Sequence, residues 1–350
     1  MAMKVQEDKK ELQTKVNNLK AYELNENQMA KTQTEFNNLF IDMERQYDME
    51  ENDFDMSNAA QKVFNKLHDE IILFNAGVKS IMDEIDPIKH VIIQKLSSLI
   101  CNAIPNSEVQ VYGSHATKLC LHWSDIDLVL KPKERAKTPR GTEGIQGAYR
   151  EVPQKNWLQL VYAELKKQDN CKWVKCVDFI EHTTVPVIKM QCLYQSEDDP
   201  NSKYLPNGNI PRYPHIVEKP INIDISLMSE NHNGLACVDL VKAYLAESNI
   251  IEPLILIMKQ MLKVWGFNDP YHGGLSSYAL FLMIVSFLQE KKKPLQMNQV
   301  NLGEVLLELI KHYAELDTAQ YAIACRMPGS NSETRNVYPN NDNNVSETRL

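Results

Sequence analysis

The sequence predicts an α+β fold in which an α/β segment, about residues 101–230, lies between two helical segments. Three observations carry that reading. Short runs in the middle of the chain alternate apolar and polar residues, the period of a half-buried strand. Two of these runs, "DIDLVL" and "INIDISL", hold aspartates among β-branched and aliphatic residues. From about residue 235 the texture changes to longer stretches with apolar residues at helical spacing.

Composition sets the bounds. A chain of 350 residues, 43% hydrophobic and 24% charged, can build one large or two ordinary domains with their own cores. The net charge of −8 excludes a global basic field, so a nucleic-acid site must be a local patch or belong to a partner. Seven cysteines without framework spacing point to a reducing compartment and free thiols. Cys171, Cys176, His182 and Cys192 match no compact zinc spacing, and the stretch between them reads as strand. The opening "MAMKVQEDKKELQ" has no apolar core, so no signal peptide is expected. "SSYALFLMIVSFLQ" is too short to span a bilayer and reads as a buried helix. A soluble, intracellular protein with no membrane partner is expected.

The elements follow in order. Residues 1–58 are polar, end in the acidic "DMEENDFDM" and read as a disordered arm. Residues 59–100 read as two helices that pack with the helical central domain. The first is capped by Ser57, with Val63, Leu67, Ile71 and Ile72 at helical spacing; the second starts at Pro87. "EVQVY" is a strand, "SHATKL" a short helix, and Ile126 to Leu130 a second strand. The polar stretch from Lys131 to Gln154 is a loop or insertion. "NWLQLVYAELKKQ" is an amphipathic helix, and "KWVKCVDFI" and "VPVIKMQCL" are a hairpin or neighbouring strands. A long loop dense in Pro, Asn and Gly precedes the strand "INIDISL". Helices are expected over 235–247, 253–265, 275–290 and 301–314 within a helical domain of residues 231–325, followed by a polar tail, 326–350.

The chemistry concentrates in the α/β segment. Period-two alternation puts Asp125 and Asp127 on one side of their strand and Ile126 and Leu128 on the other. Asp224 is a third acidic residue in an apolar strand. If the two strands are neighbours, three carboxylates converge, and such a set suits Mg²⁺ or Mn²⁺. Two ions about 4 Å apart would clamp the attacking and leaving oxygens of a phosphoryl transfer. Gly113 and Ser114, between a strand and a short helix, let the backbone approach a phosphate closely.

Gly-Ser, then "SDIDL", then an isolated strand aspartate resembles the polymerase-β nucleotidyltransferase superfamily. "LHDEIILFNAGV", "VPVIKM", "INIDISL", "NGLACVDLVKAYL" and "EPLILIMKQMLKVWGFNDPYHGGLSSYALFLMIVSFLQ" follow the order of the noncanonical poly(A) polymerases, above all their nuclear RNA-surveillance branch. The resemblance covers about residues 64–316. It implies a polymerase-β-like nucleotidyltransferase palm, residues 101–230, with a helical central domain. It also implies template-independent addition of nucleotides, AMP from ATP first, to RNA 3′ ends. Gly113 and Ser114 would bind the triphosphate; Asp125, Asp127 and Asp224 would hold two Mg²⁺ or Mn²⁺ ions, and Asp224 would serve the 3′-hydroxyl. Asn233 would contact the ribose. Lys259 and Lys263, four apart on one helix, would meet the triphosphate or else snorkel to solvent. Ser277 would hold phosphate and Tyr278 would stack on the base or fill the core, with Gly273 and Gly274 leaving room for the ligand. Nuclear location, a zinc-knuckle RNA-binding protein and an RNA helicase complete what the resemblance implies.

Two features depart from that pattern. His122 and Trp123 stand where the family has a Pro or small residue, so they cover the site, stack on RNA or fill a loop. The family's nucleotide-recognition segment would be expected beyond residue 350, and the helical domain therefore reads as incomplete. A uridylyltransferase shares every residue named above. An inactive scaffold of the same fold in an RNA-processing complex is the reading of another class.

Overall fold

Alternation along five strands creates a sheet with one apolar and one polar face. The computed structural model describes residues 53–133, 156–167, 173–183, 185–194, 212–229, 232–291, 296, 298, 300–317, 320–328 and 337–339. Its main sheet contains β1 (Ser107–Tyr112), β2 (Ile126–Pro132), β3 (Val174–Ile180), β4 (Val187–Cys192) and β5 (Ile221–Leu227), in the order β1-β2-β5-β4-β3. β2 and β5 run parallel; the other neighbours are antiparallel.

Ile126, Leu128, Leu130, Ile188, Met190, Cys192, Ile223 and Ile225 project from the apolar face and are buried. They meet Ile88, Ile92, Leu96 and Ile100 of the helix α1 (Asp53–Ala103) and, beyond the one-turn helix α2 (Gly113–Thr117), Trp157, Leu158, Val161 and Leu165 of α3 (Trp157–Lys166). Burial of each such side chain contributes roughly 1.5–3 kcal/mol. This core fixes the strand register, because a one-residue slip would turn every apolar group to the other face.

α1 corrects one expectation. A break was expected at Pro87, yet a single helix of 51 residues passes through it and begins at Asp53, ahead of Ser57. Proline inside a helix costs about 3 kcal/mol through a lost amide bond and a ring clash. Ile85, Ile88, Ile92, Leu96 and Ile100 stay buried at spacings of three and four across Pro87, and that continuous stripe outweighs the cost.

The described residues divide into two compact units. One runs from Ser80 to Lys242 and contains the sheet; the other joins residues up to Lys79 with those from Ala243 on. The boundary falls inside α1 and, after the short α4 (Pro214–Val217), inside α5 (Gly234–Glu247). The segment read as 59–100 is thus shared between the units. The second unit is helical, with α6 (Ile251–Trp265), α7 (Ser277–Glu290) and α8 (Leu302–Glu315). All four late helices fall where spacing placed them, within a few residues. Among the described residues no helix is long and apolar enough to cross a membrane.

A two-stranded ribbon, β6 (Tyr321–Ile323) with β7 (Val337–Pro339), lies in and beside the stretch read as a structureless tail. Most of the expected arm (1–52), of the loops after Lys133 (134–155) and after Tyr194 (195–211), and of the tail (329–336 and 340–350) lies outside the described residues. Cys176 is exposed and Cys192 buried, and their places in the register put them on opposite faces of the sheet. Cys171 is outside the described residues.

Candidate active site

The polar face of the sheet carries a row of residues set by strand register. Tyr112 of β1 lies opposite Asp127 of β2, Asp127 opposite Asp224 of β5, Asp224 opposite Lys189 of β4, and Lys189 opposite Asp178 of β3. Directly opposed residues share a face, with Cβ atoms about 4.5–5.5 Å apart. Asp125 stands two positions before Asp127, so it belongs to the same face, next to Asn222 and Gln191. The structure therefore brings the three aspartates together.

Two of them are already held. Asn222 Nδ2 donates to Asp125 Oδ1 at 3.0 Å, and Gln191 Nε2 donates to Asn222 Oδ1 at 3.0 Å. Lys189 Nζ donates to Asp224 Oδ2 at 2.6 Å. Burial pushes the Asp224 carboxyl above the usual carboxylate range, more than the Lys189 ammonium pulls it down, and the Asp125 charge adds to the rise. Burial alone would lower the Lys189 pKa, but the hydrogen bond to Asp224 and the charges of Asp224, Asp125 and Asp127 raise it.

Gly113 sits at the end of β1 and starts α2 with a φ of +65°, a left-handed conformation that favours glycine. A Cβ there would run into the Asp127 carboxylate. The Gly-Ser turn is thus packed directly on the second aspartate. Thr117 Oγ1 donates to the Gly113 carbonyl at 3.3 Å and the Ser114 carbonyl at 3.2 Å, which fixes the turn. Ser114 is half-buried.

The loop that delivers Asp125 is anchored from beneath. Leu121 N–H donates to Ser124 Oγ at 3.0 Å, and Ser124 N–H returns a bond to the Leu121 carbonyl at 2.9 Å. Lys89 of α1, 0% exposed, lies 3.5 Å from the Ser124 carbonyl. Burial lowers the pKa of this lysine against the raising effect of Cys120, Asp86 and Asp125. Sequence reasoning missed Lys89, Lys189 and the Asn222–Asp125 contact. Only "VPVIKM", read as a strand, signalled that a lysine would reach the sheet.

His122 and Trp123 are half-buried and line a cavity of about 150 Å³ with Ile85, Ile88, Lys219 and Asn222. Asn233 is exposed, and its carbonyl accepts from Cys237 N–H at 2.9 Å, at the start of α5. Lys259, Lys263, Ser277 and Tyr278 all belong to the helical unit. Lys259 is buried and Lys263 exposed on α6; Ser277 is exposed and Tyr278 half-buried at the start of α7. Ser276, not Ser277, caps α7, its hydroxyl accepting from Ala279 N–H at 3.1 Å. A Cβ at Gly274 would strike the Phe267 carbonyl, so the loop itself requires this glycine, while a Cβ at Gly273, where φ is +83°, would meet open space.

The donor set fits hard divalent ions: three aspartate carboxylates on one face of adjacent strands, with no soft ligand among them. Among the described residues no three acidic, imidazole or thiol groups enclose an ion as they stand. Asp125 instead faces Asn222, and Asp224 faces Lys189.

The sheet order, the paired aspartates and the third aspartate on the parallel neighbour form one carboxylate-bearing face of an α+β domain. The model of the central palm domain of mitochondrial-like poly(A) RNA polymerase matches residues 67–246, just over half of the chain, and the chain belongs to that family. Poly(A) RNA polymerase cid14 of Schizosaccharomyces pombe is 26% identical over 69% of this chain and 31% of its own length. CID14 of Cryptococcus neoformans is 29% identical over 70% of this chain and 27% of its own. The inactive poly(A) RNA polymerase protein Trf4-2 of Drosophila melanogaster is 26% identical over 74% and 53%. The chain thus spans about half or less of the length of these curated relatives. Among solved structures, the polymerase core of TRAMP, an RNA surveillance complex, superposes with a TM-score of 0.54 at 23% identity, covering 79% of this chain and 72% of that one. A cytoplasmic RNA terminal U-transferase gives 0.51 at 17% identity, covering 75% and 77%. At these identities the likeness speaks for the fold.

Proposed function

We propose that the chain adds nucleotides, AMP from ATP, to RNA 3′ ends without a template. The observation that carries this reading is the register Asp127–Asp224 with Asp125 on the same face and Gly113 packed on Asp127. Asp125 and Asp127 would hold one divalent ion, and Asp224 with them a second. When bound, such ions activate the attacking hydroxyl and stabilise the leaving pyrophosphate oxygen. The residues of the chain do the rest. The Gly113–Ser114 turn lets the backbone approach the triphosphate closely. Asp224 receives the proton of the 3′-hydroxyl. Lys259, Lys263 and Ser277 bind triphosphate, Tyr278 stacks on the base, and Asn233 meets the ribose; these assignments rest on the family resemblance. The same resemblance supports a nuclear setting with a zinc-knuckle RNA-binding protein and an RNA helicase as partners.

The test is direct. The 350-residue chain is incubated with a 5′-labelled RNA primer, Mg²⁺ or Mn²⁺, and each nucleoside triphosphate in turn. Extension with ATP supports the reading; extension with UTP alone would make the enzyme a uridylyltransferase. A second reading, a scaffold without activity, draws on the relative named as inactive and on the engagement of Asp125 and Asp224 by Asn222 and Lys189. No extension with any nucleotide would favour it.

A further inference from the structure

We propose that Lys189 is the resident cation of the carboxylate site, holding Asp224 in the metal-free protein and swinging to Asp178 when a divalent ion takes Asp224. The inference rests on the metal-binding reading above. It starts from register: Lys189 lies opposite Asp224 on one side, across β4 and β5, and opposite Asp178 on the other, across β3 and β4. All three project from the polar face. Lys189 Nζ reaches Asp224 Oδ2 at 2.6 Å, so the ammonium occupies an oxygen that an ion would use. The lysine side chain is 49% exposed and Asp224 21%, so the head group has room to leave while the carboxylate stays in place. Asp178 is exposed on the far side of Lys189 and offers the displaced ammonium a second carboxylate at cross-strand distance.

The electrostatics give the arrangement a purpose. Three carboxylates on one face repel one another. The ammonium offsets that repulsion in the resting protein. An arriving dication does the same job better, since its charge is double and it touches more than one carboxylate. Lys189 therefore competes with the metal at rest. Asp178 lowers the cost of displacement by receiving the ammonium.

Mn²⁺ alone is the probe, with free Mn²⁺ read by electron paramagnetic resonance during titration of the full chain. Lys189→Met keeps length and removes charge; it is expected to bind Mn²⁺ about tenfold tighter than the wild type, because a like charge has left the site. Lys189→Arg keeps the charge and is expected to bind like the wild type. Asp178→Asn is expected to bind Mn²⁺ about two- to fivefold more weakly, the worth of an exposed ion pair. In the Lys189→Met background the same Asp178→Asn change is expected to have no effect. A lysine that merely supports the fold would lose metal affinity on substitution, not gain it. Equal or weaker binding by Lys189→Met, or an Asp178→Asn effect that persists without Lys189, would overturn the proposal. Asp127→Asn separates the two levels: if it leaves wild-type Mn²⁺ binding unchanged, the metal reading itself fails, and this inference with it.

Discussion

The two faces of one sheet are built from alternate residues of the same strands, yet they follow opposite rules. On one face Leu128, Ile223 and Ile225 are completely buried and interchangeable in kind; what matters there is volume and shape. On the other, Asp127, Asp224 and Lys189 are charged, partly exposed and paired in a fixed row. The apolar face specifies where the polar face must be. A residue's neighbour in sequence is its opposite in role, so stability and chemistry are separable by single substitutions one position apart.

The sharpest way to break that separation is to exchange the characters of adjacent residues. Leu128→Asp places a carboxylate in the core without a partner and is expected to cost more than about 4 kcal/mol, enough to leave the protein insoluble or unfolded by circular dichroism. Asp127→Leu, one position away, is expected to leave the melting temperature within a few degrees of the wild type. A folded Leu128→Asp or an unfolded Asp127→Leu would dissolve the contrast.

Gly113 lies where the two regimes meet. Gly113→Ala forces a side chain into a left-handed backbone and onto the Asp127 carboxylate. Its expected cost in stability is about 1–2 kcal/mol, from the backbone conformation alone. RNA extension is expected to fall by about 10² or more, because the carboxylate is pushed aside. Urea titration and primer extension on the same preparation check both numbers.

The smallest effect concerns pH. Burial, with Lys89 and Lys118 nearby, lowers the His115 pKa from 6.5 to about 4, against a raising effect of Asp86. The fold therefore prefers the neutral ring. Above pH 6.5 the ring is neutral whether folded or not, and it contributes no pH dependence. Between pH 6.5 and about 4 only the unfolded chain takes the proton, so stability falls as pH falls through that window. With the ring partly exposed, the loss is about 1–2 kcal/mol. His115→Gln is expected to remove that part of the slope, seen as a smaller shift of the urea midpoint between pH 7 and pH 4.5.

Much of this was legible in the sequence, for reasons that differ by region. The strands around Asp127 and Asp224 announce themselves because alternation is a local property. Asp125, Asp127 and Asp224 stand out because carboxylates interrupt apolar runs. The Lys189–Asp224 pair was not legible, because nothing in "VPVIKM" or "INIDISL" states which strands are neighbours or in what register. The Asn222–Asp125 contact was missed for the same reason. Lys89 hid among the polar residues of a helix, where only the packed fold reveals that it has no exposure. The continuous α1 was misread because Pro87 is a strong local signal that a buried stripe overrides. The β6–β7 ribbon escaped because strands of three residues are too short to show a period.

The central claim is that the polar face of the sheet performs metal-dependent nucleotidyl transfer. The most direct measurement is extension of a labelled RNA primer by the wild type and by Asp127→Asn, with ATP and Mg²⁺ or Mn²⁺, at matched melting temperatures. Loss of a metal ligand removes several kcal/mol of transition-state stabilisation, so the account predicts a rate at least about 10³-fold lower in the variant. Extension by Asp127→Asn at the wild-type rate would contradict it.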